Sequence, residues 1–530
     1  MPTDRSVVLS GFAGTGKSTL GPRVAAHLGL PFVDTDQELA RRTGLTIPDL
    51  WRSRGEAVFR ILEEDLVREL FADRVRRVVS FGGGTATVRA VRHLALDQGA
   101  FLVTLTARAE TVLARVGSQE ERPVLRGPDP LAHITSLLAQ RAASYAECHL
   151  SVATDELSVE DAAARIARES ARSRIAVPLG DRSYAVHVVD DDPATVARVL
   201  TDLRPSSVLV VTDESVLAAR GAALAASLPR DLPVTQVTVR PGEEHKTLTS
   251  VQAIWDAALT ARVDRDSVVL AFGGGVVGDL AGFAASTLLR GIRVVQVPTT
   301  VLAMVDASVG GKTGFDVAQG KNLIGSFHQP AAVVVDFAHL STLPIRDFRA
   351  GLAEVAKVAL TCDEDLWASL EQGADRLREG DLRTLAPLAM QAIVLKTRLV
   401  RDDEKERGAR ALLNLGHTVG HALEAWGGFA RYRHGEAVAM GLVTELRVAE
   451  HLGVASAGLA DRARALLSRL GLPTDPPDEA MRAAWPFVTL DKKRAGAAVL
   501  LPLVSRVGTA TVKPVSLGEL GAILCIDTPR

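Results

Sequence analysis

The chain has 530 residues, which at roughly 100–200 residues per domain predicts about three domains. Its hydrophobic fraction of 47% and charged fraction of 23% are typical of a soluble globular protein, and its net charge of −2 gives no electrostatic case for binding nucleic acid or an acidic membrane surface. The cysteines lie far apart and form no CxxC pair, which favours a reducing cytosol over a disulfide framework. The N-terminus has no signal-peptide pattern, and no uncharged apolar run reaches the ~18 residues of a membrane helix, so we expect a cytoplasmic protein that does not insert into membranes.

In chain order, residues 1–167 alternate short apolar strands with helical segments, which predicts a three-layer α/β domain. An arginine-rich polar stretch at 168–176 predicts a linker. A second series of apolar strands predicts a Rossmann-like α/β domain over 177–340, and helical spacing predicts a mostly α-helical domain over 341–530. The expected strands are 6–10, 31–33, 77–81, 100–106, 207–212, 234–239, 267–272, 293–298 and 332–336, with helices at 18–28 and 131–145.

The turn after the first strand carries a complete phosphate-binding pattern. It reads GFAGTGKS and matches GxxxxGK[ST] between a strand and a helix. Its glycines let backbone N–H groups face phosphates, and the helix N-terminus adds the positive end of its dipole. In such a loop the lysine contacts the β/γ-phosphates and the serine holds Mg²⁺. We therefore predict an ATP–Mg²⁺ site made by Gly14, Gly16, Lys17, Ser18 and Thr19.

Further polar residues of this first region lie where an α/β sheet binds its ligands. Asp34 and Asp36 follow the second strand, at the mouth of the predicted sheet. The other candidates are Arg60 in the segment FRILEE, the glycines 82–84 after the third strand, Arg122 in a charged, glycine-rich loop suited to a mobile lid, and Arg141 one helical turn before Tyr145.

In this order, these motifs resemble shikimate kinase over almost all of the first 165 residues. The resemblance implies that the hydroxyls and carboxylate of the substrate are bound by Asp36, Arg60, Gly82, Gly83 and Arg141. It implies that Asp34 supports the magnesium shell, that Arg115 lies along the adenine, and that Arg122 acts with Asp36 and Lys17 in catalysis by neutralising the transferring phosphate. Arginines suit a carboxylate because they bind it in bidentate fashion. Another small-metabolite kinase, such as a gluconate kinase, stays an alternative.

The second region contains a weaker nucleotide motif. Residues 272–279 read FGGGVVGD, contain GxGxxG, follow a strand and open a helix. The acidic residue that usually follows about 20 positions later is missing, which argues against an ordinary dinucleotide fold but leaves pyrophosphate binding at Gly274, Gly275 and Asp279 intact. The candidate ribose partners lie upstream and are Asp213, Glu243 and Lys246.

Two later clusters suggest a reaction centre. Polar turns between 298 and 322 place charged groups beside paired glycines, which predicts a polar pocket that the backbone approaches closely; they contain Thr299, Thr300, Asp306, Lys312, Lys321 and Asn322. Candidate metal ligands follow at Glu354, His417, His421 and His434. One carboxylate and two histidines with an open fourth position form a common catalytic zinc site, and His417 and His421 share a helix face.

From residue 177 to the end, these motifs resemble 3-dehydroquinate synthase of the sugar-phosphate cyclase family, which is related in architecture to iron-type alcohol and glycerol dehydrogenases. The resemblance implies that Glu354, His417 and His434 hold Zn²⁺ or Co²⁺, and that His421 is a proton-relay or phosphate-contacting group. It implies that NAD is bound by Asp213, Glu243, Lys246, Gly274, Gly275, Asp279, Thr299 and Thr300.

The same resemblance assigns the substrate contacts. Phosphate would be bound by Lys312, Asn322 and one of Lys492 and Lys493, and Lys321 would be a further substrate-binding residue. Arg290 would reach in from the partner subunit of a homodimer. Lys357 and Asp306 would contact the reacting hydroxyls, and the substrate carboxylate would be held by Lys396, Arg410 and Asn414.

The implied reaction of the second region converts 3-deoxy-arabino-heptulosonate 7-phosphate to 3-dehydroquinate, with loss of phosphate and no net consumption of NAD. The expected architecture is therefore a P-loop kinase domain fused to a Rossmann-like domain and a mostly helical one, with two activities of the shikimate pathway. One alternative is a cyclase whose substrate lacks a carboxylate. Another is that one half only binds nucleotide as a regulatory module.

Overall fold

The computed structural model describes residues 5–116, 129–318, 320–488, 494–495 and 498–524. Two compact units make up the chain, Met1–His187 and Val188–Arg530. Within the described residues, no helix combines the length and the apolar character needed to cross a membrane.

A parallel sheet lies at the centre of the first unit. Its strands are β1 (Val7–Gly11), β2 (Phe32–Asp34), β3 (Val78–Ser80), β4 (Phe101–Thr106) and β5 (Leu150–Ala153), in the order β2-β3-β1-β4-β5. The helices are α1 (Lys17–Leu28), α2 (Thr35–Thr43), α3 (Ile47–Ala72), α4 (Arg89–Asp97), α5 (Ala109–Val116), α6 (Pro130–Ala146) and α7 (Val159–Ser170). Successive residues of β1 point to opposite faces, and Val8 and Leu9 accordingly belong to two separate apolar clusters. Both faces are thus covered, and the predicted three-layer domain is confirmed.

The parallel arrangement brings the predicted ligand-binding residues to one edge. β1 ends at Gly11, β2 ends at Asp34 and β3 is followed by the glycines 82–84. The carboxyl ends of parallel strands share one edge of the sheet, where ligands of α/β proteins bind. Gly14 and Gly16 have φ values of 79° and 97°, a region that glycine adopts without steric cost, and this lets the loop curl in front of α1.

The segment after α7 packs on the first unit. The strand β6 (Arg174–Val177) pairs antiparallel with β7 (Tyr184–Val189). The Arg5 guanidinium donates hydrogen bonds to the carbonyls of Ser170, Arg172 and Arg174 at 3.4, 2.6 and 3.2 Å. The predicted linker at 168–176 therefore contains the end of a helix and the start of a strand. The domain boundaries themselves stay a prediction.

The second unit begins with a Rossmann-like sheet, as expected. Its strands are β8 (Val208–Asp213), β9 (Val234–Val239), β10 (Val268–Gly273), β11 (Arg293–Pro298), β12 (Lys312–Val317), β13 (Gly320–Phe327) and β14 (Ala332–Asp336), and its helices are α8 (Ala194–Leu203), α9 (Glu214–Ala226), α10 (Leu248–Thr260) and α11 (Gly275–Thr287). The parallel order is β14-β11-β10-β8-β9, while β12 and β13 form an antiparallel hairpin. A π-helical turn, Ala303–Ala307, carries Asp306.

The remainder of the second unit is mostly helical, which confirms the prediction. Its helices are α12 (Ile345–Cys362), α13 (Glu364–Arg378), α14 (Leu382–Asp402), α15 (His417–Trp426), α16 (His434–His451), α17 (Leu459–Arg469), α18 (Asp478–Val488) and α19 (Leu517–Ile523). The strands β15 (Arg494–Ala495), β16 (Ala498–Arg506) and β17 (Thr509–Ser516) were not expected. A turn of two residues joins β16 and β17, and Gly508 in it has φ 78°. Such a turn in front of the β-branched run TATV is the signal that could have predicted this hairpin.

Candidate active sites

The phosphate-binding loop of the first unit is preformed around its lysine. Lys17 Nζ donates to the carbonyl oxygens of Gly11 and Phe12 at 2.8 and 2.9 Å, so the loop backbone holds the ammonium group. Ser18 Oγ donates to Asp34 Oδ2 at 2.9 Å. A hydroxyl oxygen and a carboxylate oxygen side by side are the hard ligands that Mg²⁺ prefers, so this pair fits a magnesium ion carrying nucleotide phosphates.

The acidic and basic side chains predicted to bind the substrate of the first unit lie around the glycine turn at 82–84. A Cβ at Gly82 would lie 2.5 Å from Asp36 Oδ1 and 3.0 Å from Glu63 Oε1, so only glycine allows these groups to come this close. Glu63 is buried, and it pairs with Arg60 and accepts a hydrogen bond from Thr85. Burial raises the pKa of Glu63 against the opposing effect of Thr85 and Arg60. Sequence reasoning gave Glu63 no role, although its spacing of three from Arg60 on a helix predicts this contact.

The next two arginines both bond to backbone carbonyls. Arg141 donates to the Gly83 carbonyl at 3.1 Å, where the Tyr145 hydroxyl also donates at 2.8 Å. Arg115 donates to the carbonyl of Thr154 at 3.1 Å and to its hydroxyl at 2.9 Å. Arg141 therefore lies at the glycine turn together with Asp36, as predicted for a substrate contact. The fourth predicted arginine, Arg122, lies outside the described residues.

The second unit contains a cavity of about 850 Å³. The residues predicted to bind NAD all line it, and so do Asp306, Lys321, Asn322, His421 and His434. Lys246 Nζ donates to Asp279 Oδ2 and Asn322 Oδ1, both at 2.6 Å. Burial alone would lower the pKa of Lys246, but carboxylates, with Asp279 the nearest, raise it above its usual value. The charged side chains of Lys246 and Asp279 are therefore held in place beside the N-terminus of α11, where Gly274 and Gly275 lie.

Three candidate metal ligands come together beside this cavity. Glu354 is fully buried on α12, and its Oε1 atom makes no hydrogen bond within the described part of the chain. This oxygen lies 3.7 Å from His417 Nε2 and 3.5 Å from His434 Nε2. The Nδ1 atom of His417 faces the Leu415 carbonyl at 3.1 Å. A carbonyl only accepts hydrogen bonds, so the proton is on Nδ1 and Nε2 is the nitrogen whose lone pair can bind a metal. A buried oxygen without a donor, facing two imidazole nitrogens, fits a divalent cation such as Zn²⁺.

Comparison with known proteins identifies the family of each unit. Residues 236–350 match the 3-dehydroquinate synthase N-terminal family model and 351–494 the C-terminal one, while residues 13–171 match the shikimate kinase model. The 3-dehydroquinate synthase of Halorhodospira halophila is 44% identical over 354 residues, which is 66% of this chain and 97% of that protein. The chain belongs to the shikimate kinase and 3-dehydroquinate synthase families. The predicted fusion of two enzymes is confirmed, and the gluconate kinase alternative is set aside.

Solved structures resemble the synthase unit. A 2-epi-5-epi-valiolone synthase from Streptomyces hygroscopicus subsp. jinggangensis 5008, with NAD⁺ and Zn²⁺ bound, is 30% identical with a TM-score of 0.58, covering 64% of this chain and 96% of that one. A 2-deoxy-scyllo-inosose synthase, complexed with carbaglucose-6-phosphate, NAD⁺ and Co²⁺, covers 66% of this chain and 99% of that one, at 23% identity and a TM-score of 0.59. The second likeness shows a common fold.

A network of buried charges extends from the metal-ligand candidates of the synthase unit. Lys357 pairs with Glu354 and lies 3.2 Å from Asp306 Oδ2. Lys396 bonds both the carboxylate and the carbonyl of Asp306. Burial opposes the ionisation of Asp306, but Lys357 and Lys396 hold its pKa well below the usual range. Three predicted substrate contacts, Asp306, Lys357 and Lys396, therefore form one charged cluster with the metal-ligand candidate Glu354.

The remaining predicted substrate contacts of the synthase are held by protein groups. Arg410 is buried and donates to the carbonyls of Gly310 and Glu404 at 3.1 and 2.6 Å. Asn414 Nδ2 donates to Glu406 Oε1 at 2.6 Å, and Lys312 pairs with the other oxygen of Glu406. Sequence reasoning missed Glu406, which the structure places between two predicted anion-binding groups.

Of the residues predicted for the synthase site, one does not line the cavity and two lie outside the described part of the chain. Arg290 is exposed, ends the turn Leu288–Arg290 and has φ 70°. It is absent from the described residues that line the cavity. Lys492 and Lys493 lie outside the described residues, so the choice between them stays open.

Proposed function

We propose that the synthase unit converts 3-deoxy-arabino-heptulosonate 7-phosphate to 3-dehydroquinate and phosphate, and that the kinase unit transfers the γ-phosphoryl group of ATP to shikimate, giving shikimate 3-phosphate. The observation that carries the synthase proposal is the buried carboxylate and two imidazoles of Glu354, His417 and His434 beside a cavity lined by the predicted NAD ligands. The arginines and glycines around Asp36 support an acidic acceptor for the kinase.

The synthase unit would hold NAD⁺ in its cavity and a Zn²⁺ or Co²⁺ ion at Glu354, His417 and His434. When bound, these groups supply reversible hydride removal from a hydroxyl carbon and polarisation of its oxygen. Lys357 and Asp306 would orient that hydroxyl, because both belong to the charged cluster around Glu354. His421 lines the cavity with its ring 5.2 Å from that of His417, so it would accept and return protons at an imidazole nitrogen.

The anionic ends of the synthase substrate would be bound by lysine, arginine and asparagine side chains, and those within the described residues now contact protein groups. Lys396, Arg410 and Asn414 would hold the carboxylate. Lys312 and one of Lys492 and Lys493 would neutralise the leaving phosphate, Asn322 would donate a hydrogen bond to it, and Lys321 would lie close by. Since Glu406 lies between Lys312 and Asn414, substrate would have to replace or share its carboxylate contacts.

In the kinase unit, positioning and charge neutralisation would perform the transfer without a covalent intermediate. Lys17 would leave the carbonyls of Gly11 and Phe12 to contact the β- and γ-phosphates. Ser18 and Asp34 would support Mg²⁺, and Arg60 and Arg141 would bind the shikimate carboxylate. Asp36 would orient the attacking hydroxyl, with Arg122 neutralising the transferring group and Arg115 lying along the adenine.

The synthase unit would form a homodimer in which each copy supplies Arg290 to the other. The exposed strand β13 supports this, because Leu323, Ile324 and Phe327 are 50%, 45% and 45% exposed. Light scattering of the full chain tests the dimer, and Phe327→Asp is expected to yield monomers. A single monomeric species in the unaltered protein would contradict it. We place the protein in the cytoplasm, in keeping with Cys148 and Cys362, which form no disulfide within the described residues.

The decisive experiment is phosphate release from 3-deoxy-arabino-heptulosonate 7-phosphate by the full chain with NAD⁺ and zinc, without ATP. We expect metal-dependent release with no accumulation of NADH, and no release from chelator-treated protein. Release from sedoheptulose 7-phosphate but not from the acid substrate would contradict the assignment and favour a cyclase for a substrate without a carboxylate. Shikimate-dependent ADP formation tests the kinase unit in the same preparation.

A further inference from the structure

The metal-ligand candidate His434 lies between two buried carboxylates. Its Nε2 atom is 3.5 Å from Glu354 Oε1, and its Nδ1 atom is 3.2 Å from Glu424 Oε2. The Glu424 side chain is only 2% exposed and extends from α15, the helix that begins with His417. One nitrogen of the ring therefore faces the other metal-ligand candidates, and the second nitrogen faces Glu424.

The other oxygen of Glu424 is held by a lysine. Lys321 Nζ lies 3.0 Å from Glu424 Oε1 and 3.0 Å from Glu243 Oε1. The ammonium also lies 4.8 Å from the centre of the Phe429 ring. Because Lys321 fixes one oxygen, the Glu424 carboxylate cannot turn away from His434 without breaking an ion pair. This arrangement keeps Oε2 in place as an acceptor for the Nδ1 proton.

We propose that Glu424 is a positioning residue of the synthase, which keeps the His434 proton on Nδ1 and thereby directs Nε2 toward Glu354 and His417. This inference rests on the proposed metal-dependent function. Histidines that bind metals commonly donate their second N–H to a carboxylate or carbonyl, which fixes the tautomer and the ring orientation. His417 uses the Leu415 carbonyl for this purpose, and His434 uses Glu424.

The geometry disfavours Glu424 as a direct metal ligand. Glu424, His421 and His434 do lie close enough together to form a second ligand set. However, the positive charge of Lys321 lies 3.0 Å from the Glu424 carboxylate and would repel a cation bound there. Glu354 also pairs with a lysine, Lys357, but only through Oε2, and its Oε1 atom makes no hydrogen bond within the described residues. Both oxygens of Glu424 are engaged, one by Lys321 and the other by His434 Nδ1. The ion is therefore assigned to the Glu354 side of His434.

The test compares Glu424→Ala and Glu424→Gln with the unaltered full chain. Glu371→Gln is the matched control, because Glu371 also belongs to the synthase unit and also loses an ion pair, its partner being Arg462. Zinc dissociation constants are measured by competition with a chromophoric chelator, and the visible spectrum of the Co²⁺-loaded proteins reports the ligand geometry. We expect Glu424→Ala to weaken zinc binding by about 10–100-fold and to shift the cobalt bands. Glutamine retains an acceptor oxygen for Nδ1–H, so we expect Glu424→Gln to lose less zinc affinity than Glu424→Ala. The control Glu371→Gln should bind zinc as tightly as the unaltered protein.

The outcomes separate this inference from the proposed function. Unaltered protein that neither binds zinc nor releases phosphate would contradict the proposed function. Tight zinc binding and phosphate release in the unaltered protein, with the same zinc affinity and cobalt spectrum in Glu424→Ala, would overturn the role of Glu424 alone. An equal loss in Glu371→Gln, or cobalt bonded directly to Glu424 in a crystal, would overturn it as well.

Discussion

The kinase and synthase units differ in the groups that hold four of their cationic side chains. In the kinase unit, Lys17 and Arg141 donate to backbone carbonyls of glycine-rich turns. In the synthase unit, Lys246 and Lys357 pair with buried carboxylates. A carbonyl carries only a partial charge, so phosphate or carboxylate can replace it readily. A buried ion pair is different, because removing one member leaves the other charge unpaired in a low-dielectric interior.

The largest effect is expected from removing a metal ligand, which would abolish the synthase activity and leave the kinase activity unchanged. His417→Ala is expected to lower the synthase kcat by at least ~10³-fold, because a metal Lewis acid contributes several kcal/mol to the barrier. The kinase rate of the same chain should not change. Both rates and the zinc content are measured on one preparation. His451→Ala, at the exposed end of α16, is the control, and unchanged zinc and turnover in His417→Ala would refute the ligand assignment.

The converse substitution lowers the kinase activity and leaves the synthase activity unchanged. Lys17→Met is expected to lower shikimate phosphorylation by about 10²–10³-fold, the usual effect of losing one preorganised donor to a developing charge. The synthase rate should stay constant, because Lys17 contacts the loop of the kinase unit. Arg23→Met on the same helix is the control, since its partner Glu160 lies 3.5 Å away at the surface. A kinase rate within a factor of about two of the unaltered protein would show that Lys17 has no role in transfer.

A smaller effect is expected for a buried ion pair of the kinase unit that lies outside its predicted nucleotide and substrate sites. A substitution there tests whether cations of the kinase unit also depend on a buried carboxylate. Glu147 bonds Arg92 at 2.7 Å and His93 at 3.1 Å. Burial opposes its ionisation, but His93 and Arg92 lower its pKa to about 2 from a usual 4.5. A carboxyl group whose pKa is lower in the folded state than in the unfolded state stabilises the fold when the pH is above its unfolded-state pKa. This stabilisation is lost as the pH falls through the folded-state pKa. Glu147→Gln should therefore cost about 3 kcal/mol at pH 7, with the difference shrinking below pH ~4.5.

Hydrogen exchange of peptides covering 101–106 against pH measures this difference in the full chain, because β4 is an interior strand of the kinase sheet. Glu160→Gln, which removes an exposed carboxylate, is the control and should change little. A penalty for Glu147→Gln that is constant from pH 7 down to pH 3 would show that the ionised carboxylate is not what stabilises the kinase unit.

Much of each site could be predicted because its motif is local. The loop around Lys17 needs only its own glycines and a following helix, and these are contiguous in the sequence. His417 and His434 are 17 positions apart and begin the helices α15 and α16, which pack on each other, and α16 packs on α12, the helix of Glu354. The positions of the parallel strands were also predicted, because strands buried on both faces are apolar throughout.

The sequence alone determined the two families, the two folds, the phosphate loop and the metal-ligand candidates, because short-range spacing and buried apolar runs carry that information. Only the tertiary structure decided which carboxylates hold the cations. Glu406 meets Lys312, and Glu424 meets Lys321, across separations of about 100 residues. Such contacts follow from how helices and strands pack, and a glutamate that will be buried beside a lysine has the same local sequence character as one that will face water.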